Sequence, residues 1–200
     1  MGTCMIIQDN FLNLHHELMD DLLNLKNWKD LNTKATPYAE HLDGDYSWWD
    51  GITKPKNVWE KLINLIWIKS FELDVSKISG FEYWCNQTSA GDELDWHQDK
   101  DELLYEQKKI TVCPKISTVY YGFPHKVNGG YLEIAKEQED NDIEVERIEP
   151  VYNRLVIFDP SLWHRVAPIR SGYRYGFQVN IWEKKPSFLP QDTHRPSQDI

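Results

Sequence analysis

Gly172-Tyr173-Arg174-Tyr175-Gly176-Phe177-Gln178-Val179-Asn180 reads as a β-strand with two unlike faces. Alternate residues of a strand point to opposite sides of its sheet. Arg174, Gly176, Gln178 and Asn180 therefore share one side, and Tyr173, Tyr175, Phe177 and Val179 the other. The aromatic row suits burial under helices. The polar row suits a cavity wall, and a guanidinium inside a protein needs an anion, because an unpaired buried charge is costly. A strand of this kind belongs to a β architecture that encloses space.

Working upstream, Asn153-Arg154-Leu155-Val156-Ile157-Phe158-Asp159 is a turn feeding a buried strand that Pro160 ends, and Trp163-His164-Arg165-Val166 opens another. From about residue 78 the chain consists of short aromatic and β-branched runs. The expected strands are 78–85, 94–99, 111–122, 130–135, 142–148, 153–158, 163–168 and 173–182. Two helices precede them. Asp9 or Asn10 caps one that carries Phe11, Leu14, Leu18, Leu22 and Leu25; Thr53 and Pro55 start another that carries Val58, Trp59, Leu62, Ile63, Ile66 and Trp67. Residues 32–54 read as loop. The expected fold is mainly β: a double-stranded β-helix, or jelly-roll barrel, with N-terminal helices covering one outer face. We expect one domain over 1–183, with a helical cover to about 75 and the barrel from about 78. The polar tail 184–200, with Pro186, Pro190 and Pro196, is expected to be a surface arm without chemistry.

Within this barrel, Trp96-His97-Gln98-Asp99 would present an imidazole and a carboxylate side by side, because residues i and i+2 of a strand face the same way. His164, from a distant strand, completes two histidines and one carboxylate. That set leaves metal positions open and suits iron(II) in non-haem oxygenases. An HxD triplet alone is weak: 7 His and 17 Asp among 200 residues yield about 0.6 by chance. The rival His41-Leu42-Asp43 lies in the loop, without a strand to align its ligands, and is set aside. His15 and His16 diverge by about 100° on a helix and would not share a metal. A dicarboxylate with one end on the metal and the other on Arg174 would supply the missing anion.

The formal net charge of −10 argues against nucleic acid as a partner. Cys4, Cys85 and Cys113 form no CxxC pair, which fits a reducing compartment. No signal pattern or long apolar run is visible, so a soluble, cytoplasmic protein is expected, its oligomeric state open.

Several stretches, in order, resemble the Fe(II)/2-oxoglutarate-dependent dioxygenases, nearest their prolyl-hydroxylase branch. They are Ile116 to Tyr121, Gly129-Gly130-Tyr131-Leu132, Asn153 to Phe158, His164 to Pro168, and Gly172 to Val179. The resemblance implies that His97, Asp99 and His164 bind Fe(II) and act through it. It also implies that Arg174 holds the distal carboxylate of 2-oxoglutarate, with the Tyr121 hydroxyl as partner. Tyr83 is similar to a tyrosine that precedes the HxD in the family, and Gln178, in the polar row, joins the cofactor-lining residues. The implied reaction consumes O2 and hydroxylates an unactivated C–H of an amino acid, peptidyl residue or small metabolite, releasing succinate and CO2. Three alternatives stand beside it. An AlkB-like nucleic-acid demethylase would carry a second arginine where Asn180 stands. A cupin-type metalloenzyme would not need Arg174 facing inward. A non-enzymatic jelly-roll binding module would not need the triad. Loops 86–93, 100–110 and 122–129 would select the substrate and leave its identity open.

Overall fold

The computed structural model describes residues 5–13, 15–32, 47–137 and 143–189. Cys4, Leu14 and the rival His41-Leu42-Asp43 lie outside the described residues.

The backbone of the fold is the 14-residue strand β11, Ile169–Trp182. It pairs antiparallel along one edge with β3, Gly80–Ser89, and along the other with β5, Ile116–Tyr120. β9 (Leu155–Phe158) and β1 (Ile6–Gln8) extend the sheet beyond β5, and β2 (Ser47–Trp49) extends it beyond β3. β6, Val127–Gly129, pairs with the start of β11. A second antiparallel sheet among the described residues runs β4 (Leu94–His97), β10 (His164–Val166), β7 (Leu132–Glu137) and β8 (Ile143–Ile148). Val119, Tyr121, Val156 and Phe158 of the larger sheet or its edge pack against Leu132, Ile134 and Ile148 of the smaller, so the sheets face one another.

The helices lie on the opposite side of the larger sheet. α1 (Met19–Leu22), α2 (Leu25–Asn32) and α3 (Val58–Ile63), which continues into a wider π-helical stretch Asn64–Ser70, supply Leu22, Trp28, Trp59, Leu62 and Ile66 to the main core. Their partners from β11 are Tyr175, Phe177, Val179 and Ile181. The aromatic row of β11 thus lies under the helices, as its alternation requires.

Several element boundaries differ from the sequence expectation. Residues 9–13 and 15–18 do not form the helix that their apolar spacing suggests. The Asn153 amide bonds both the N–H and the C=O of Leu12, at 3.0 and 2.8 Å, and the Asn153 carbonyl accepts from Phe11 N at 3.0 Å. The Leu12 carbonyl taken in this way is one that a helix starting here would use. α3 starts at Val58 rather than near Thr53, because the Asn57 side chain caps it by accepting from Glu60 N at 2.9 Å. A helix α4, Glu102–Lys108, occupies part of the expected 100–110 loop. Asp101 caps its N-terminus, and it ends on Lys109 at φ 57°. Strand β4 ends at His97, not at 99, and β5 begins only at Ile116. No helix among the described residues is long and apolar enough to cross a membrane.

Candidate active site

His97 and His164 stand directly opposite each other where β4 pairs with β10, their ring centroids 4.3 Å apart. Asp99 lies just beyond the end of β4, so strand alternation does not orient it. Its N–H bonds Pro160 O at 3.2 Å, and its Oδ2 accepts from Ser117 Oγ of β5 at 3.1 Å. This leaves Oδ1 3.6 Å from both His97 Nε2 and His164 Nε2. One ligand atom from each of the three residues lies within 4.8 Å of the others.

The imidazoles are prepared as ligands. His97 Nδ1 lies 2.8 Å from Asp95 O, and His164 Nδ1 lies 2.8 Å from Leu162 O. A carbonyl can only accept, so each Nδ1 carries the proton and each Nε2 presents its lone pair to the common point. Burial, together with the nearby His164, lowers the pKa of His97. Burial also acts to lower His164, but the Asp99 carboxylate beside it more than reverses this and raises it. Burial acts to raise Asp99, and the two histidines overcome that and lower it. The three groups form an anionic, oriented N,N,O donor set that fits a divalent transition metal.

These residues open onto a cavity of about 530 Å³ whose floor is the inner side of the larger sheet. In register, Glu82, Trp84, Asn86 and Thr88 of β3 stand opposite Asn180, Gln178, Gly176 and Arg174 of β11. Asp99 leans on the Ser117 end of this floor, and Arg174 stands at the other. Arg174 is fully buried; its Nη2 donates to Tyr121 Oη at 3.1 Å, and its Cζ sits 5.1 Å from the Tyr121 ring. Arg174 Nε and Nη1, Thr88 Oγ1 and Gln178 Oε1 are buried with no hydrogen-bond partner among the described residues. A glycine on each side makes room for the guanidinium. A Cβ on Gly176 would come within 3.2 Å of Arg174 Nη1, and one on Gly130, at φ +67°, within 3.2 Å of Arg174 Cδ. Unpaired N–H donors in a dry slot fit the carboxylate of an anionic co-substrate.

Tyr83, by contrast, is not brought to this cavity. It pairs with Val179, so its ring points to the helical side of the sheet, where its hydroxyl donates to Glu60 Oε1 and accepts from Asn57 Nδ2, both at 3.2 Å. Strand parity decides this: the residues of β3 that face the cavity are the even-numbered ones. Sequence reasoning missed Thr88, Ser117 and Glu82, whose side chains only the β3–β11–β5 register brings inward. It also assigned nothing to 184–189. Ser187 N and Oγ each bond the Asp101 carboxylate at 2.6 Å, and Phe188 lines the cavity.

Two imidazoles and a carboxylate around one point, with a guanidinium that has no anionic partner among the described residues lining the same cavity, define the site of a metal-dependent oxygenase. The chain belongs to the 2OG-Fe(II) oxygenase superfamily, whose family model matches residues 83–182. It is an oxidoreductase whose family uses Fe(II), 2-oxoglutarate and O2. Among solved structures it is similar to a Pseudomonas putida prolyl-4-hydroxylase: identity is 18%, TM-score 0.54, with 92% of this chain and 90% of that one covered. A prolyl hydroxylase from Trichoplax adhaerens, in complex with a hypoxia inducible factor peptide fragment, shares 16% identity with TM-score 0.56, covering 90% and 83%. The viral collagen prolyl hydroxylase of Paramecium Bursaria Chlorella virus-1 shares 16% with TM-score 0.52, covering 92% and 98%. At these identities the likeness is one of fold. Comparison with curated protein sequences gives no significant match.

Proposed function

We propose that this chain is a 2-oxoglutarate-dependent hydroxylase acting on an unactivated C–H of an amino acid, a peptidyl residue or a small metabolite. In this reading the two facing sheets are the halves of a double-stranded β-helix. His97 Nε2, His164 Nε2 and Asp99 Oδ1 would hold iron(II), and Arg174, with Tyr121 and Thr88 beside it, would hold the distal carboxylate of 2-oxoglutarate. The observation that carries the reading is Arg174: it is fully buried, its Nε and Nη1 have no partner among the described residues, and it lines the cavity that also holds the triad. When bound, iron(II) with 2-oxoglutarate and O2 supplies the oxidising power and yields succinate and CO2. The protein's part is placement. Asp95 and Leu162 fix the imidazole tautomers, Ser117 fixes the carboxylate, and Arg174 aligns the co-substrate. The likeness to prolyl hydroxylases, one of them in complex with a peptide fragment, supports an amino-acid or peptidyl substrate.

The test is succinate release from 2-oxoglutarate with Fe(II), across a panel of amino acids and short peptides. His97→Ala, Asp99→Ala and His164→Ala should each abolish it, and His41→Ala should retain it. Undiminished turnover in His164→Ala would remove the triad from the reaction.

A further inference from the structure

Glu82 lines the same cavity and has no part in the reaction described above. It is 5% exposed. Both of its hydrogen bonds fall on Oε2, from Trp182 Nε1 at 2.8 Å and from Asn180 Nδ2 at 3.4 Å. Among the described residues Oε1 accepts nothing, and no cation pairs with the carboxylate. Of the cavity's cations, Lys100 pairs with Glu102 at 3.0 Å, Arg165 pairs with Glu133 at 2.7 Å, and Arg174 stands at the far end of the floor, opposite Thr88 rather than Glu82.

The position of Glu82 is as informative as its isolation. Asn180 stands opposite it in register and bonds Ser117, which in turn bonds Asp99. Glu82 is therefore at the triad end of the floor, away from Arg174. The loaded site is electrically complete without it, because the charges of iron(II), Asp99, Arg174 and a 2-oxoglutarate dianion cancel. Glu82 is a surplus negative charge in a low-dielectric space, where an unpaired carboxylate is disfavoured. Burial, with Asp99 nearby, pushes its carboxyl up to about 7 despite the Trp182 bond. A partner that arrives with the substrate would relieve this.

Resting on the proposed function, we infer that Glu82 is a substrate-recognition residue that takes a cationic nitrogen. The substrate class is then an ammonium-bearing molecule: an amino acid with a free amino group, or a residue with a basic side chain, rather than a wholly neutral segment. The nitrogen would bond Oε1, which places carbons near it beside the triad.

The test uses full-length protein loaded with Mn(II) and 2-oxoglutarate, which does not turn over, and two probes of one size, n-butylammonium and n-butanol. Paramagnetic relaxation of the probe protons by Mn(II) reports binding beside the metal, and titration yields dissociation constants. We expect n-butylammonium to bind about ten- to hundredfold more tightly, the range for a hydrogen bond to a charged group. Glu82→Gln should erase that difference while 2-oxoglutarate affinity stays at the parent value. Glu82→Asp, which keeps the charge, should retain part of it. Equal binding of the two probes by the parent protein, or a preference that survives Glu82→Gln, overturns the inference. Neither result touches the assignment of Arg174, which fails only if Arg174→Gln binds 2-oxoglutarate like the parent.

Discussion

Arg174 buries Nε and Nη1 without a partner among the described residues, while Nη2 bonds Tyr121, so its charge is desolvated before any ligand arrives. A co-substrate carboxylate gains charge-assisted hydrogen bonds there, and a neutral replacement leaves that anion buried and unpaired. Breaking such a pair costs about 3–5 kcal/mol, so Arg174→Gln should raise the apparent KM for 2-oxoglutarate at least about a hundredfold and spare metal binding. Tyr121→Phe removes one neutral hydroxyl and should cost nearer ~1 kcal/mol. Steady-state titration of 2-oxoglutarate checks both, and a parental KM in Arg174→Gln would sink the assignment. Glu82 makes a second residue-scale prediction, about stability. Its folded carboxyl is raised to about 7 from the ordinary value of 4.5. The folded state therefore holds a proton that the unfolded state has released. The resulting penalty is absent below about pH 4.5, grows between there and 7, and is complete above, with a size of about 3 kcal/mol. Glu82→Gln should accordingly unfold later than the parent in denaturant at pH 8, and the difference should vanish by pH 4.5. A constant difference across that range would mean that the Glu82 carboxyl does not titrate as its burial requires.

Among the elements, the long strands were legible and the joints between them were not. β11 could be read from its alternation, and its two faces fall where that alternation requires, with Phe177 and Val179 under the helices and Arg174 and Gln178 on the cavity. His97 and His164 could be read from their strands as well, and they meet across one register pair. Asp99 was found for an incomplete reason, because β4 stops at His97 and bonds to Pro160 and Ser117 orient the carboxylate. Tyr83 was misplaced because the side a strand residue faces depends on register, which sequence spacing to a distant His does not reveal. Residues 9–13 and 15–18, and α4, were misread because their signals are tertiary. Asn153 holds Leu12 from 141 positions away, and Asp101 caps α4 while also holding Ser187. Asp101 ties two elements at once, and this yields a prediction at the same scale. Asp101→Ala removes a helix cap and two charge-assisted bonds to the segment that carries Phe188. It should cost about 2–4 kcal/mol in denaturant unfolding and speed tryptic cleavage after Lys184. Cleavage at the parental rate would show that Asp101 does not hold that segment.

In the whole molecule, the two sheets meet through an apolar cluster that includes Ile134 and Phe158, and they separate at the cavity, where polar groups replace it. The His97, Asp99 and His164 triad belongs to the smaller sheet and the segment beyond β4, whereas Arg174, Tyr121 and Thr88 belong to the larger sheet or its edge. A metal alone would tie together side chains on one side of the opening. A dicarboxylate that reaches from the metal to Arg174 would bridge the two sheets, so its binding should stabilise the fold as a unit. Ligand at about a hundred times its dissociation constant contributes about 2.7 kcal/mol. For a chain of this length each kcal/mol moves the melting temperature by about 2–4 °C. Mn(II) with saturating 2-oxoglutarate should therefore raise the Tm by about 5–10 °C over Mn(II) alone, as followed by calorimetry under non-turnover conditions. In Arg174→Gln the metal increment should persist and the 2-oxoglutarate increment should collapse. In His164→Ala both should be lost, because the co-substrate has no metal to chelate. The metal increment should also shrink as pH falls, since a proton on either imidazole competes with the metal, and His164, raised by Asp99, takes one first. A 2-oxoglutarate increment that is equal in the parent and in Arg174→Gln would mean that the dicarboxylate does not bridge the sheets, and the proposed placement of the co-substrate would fall with it.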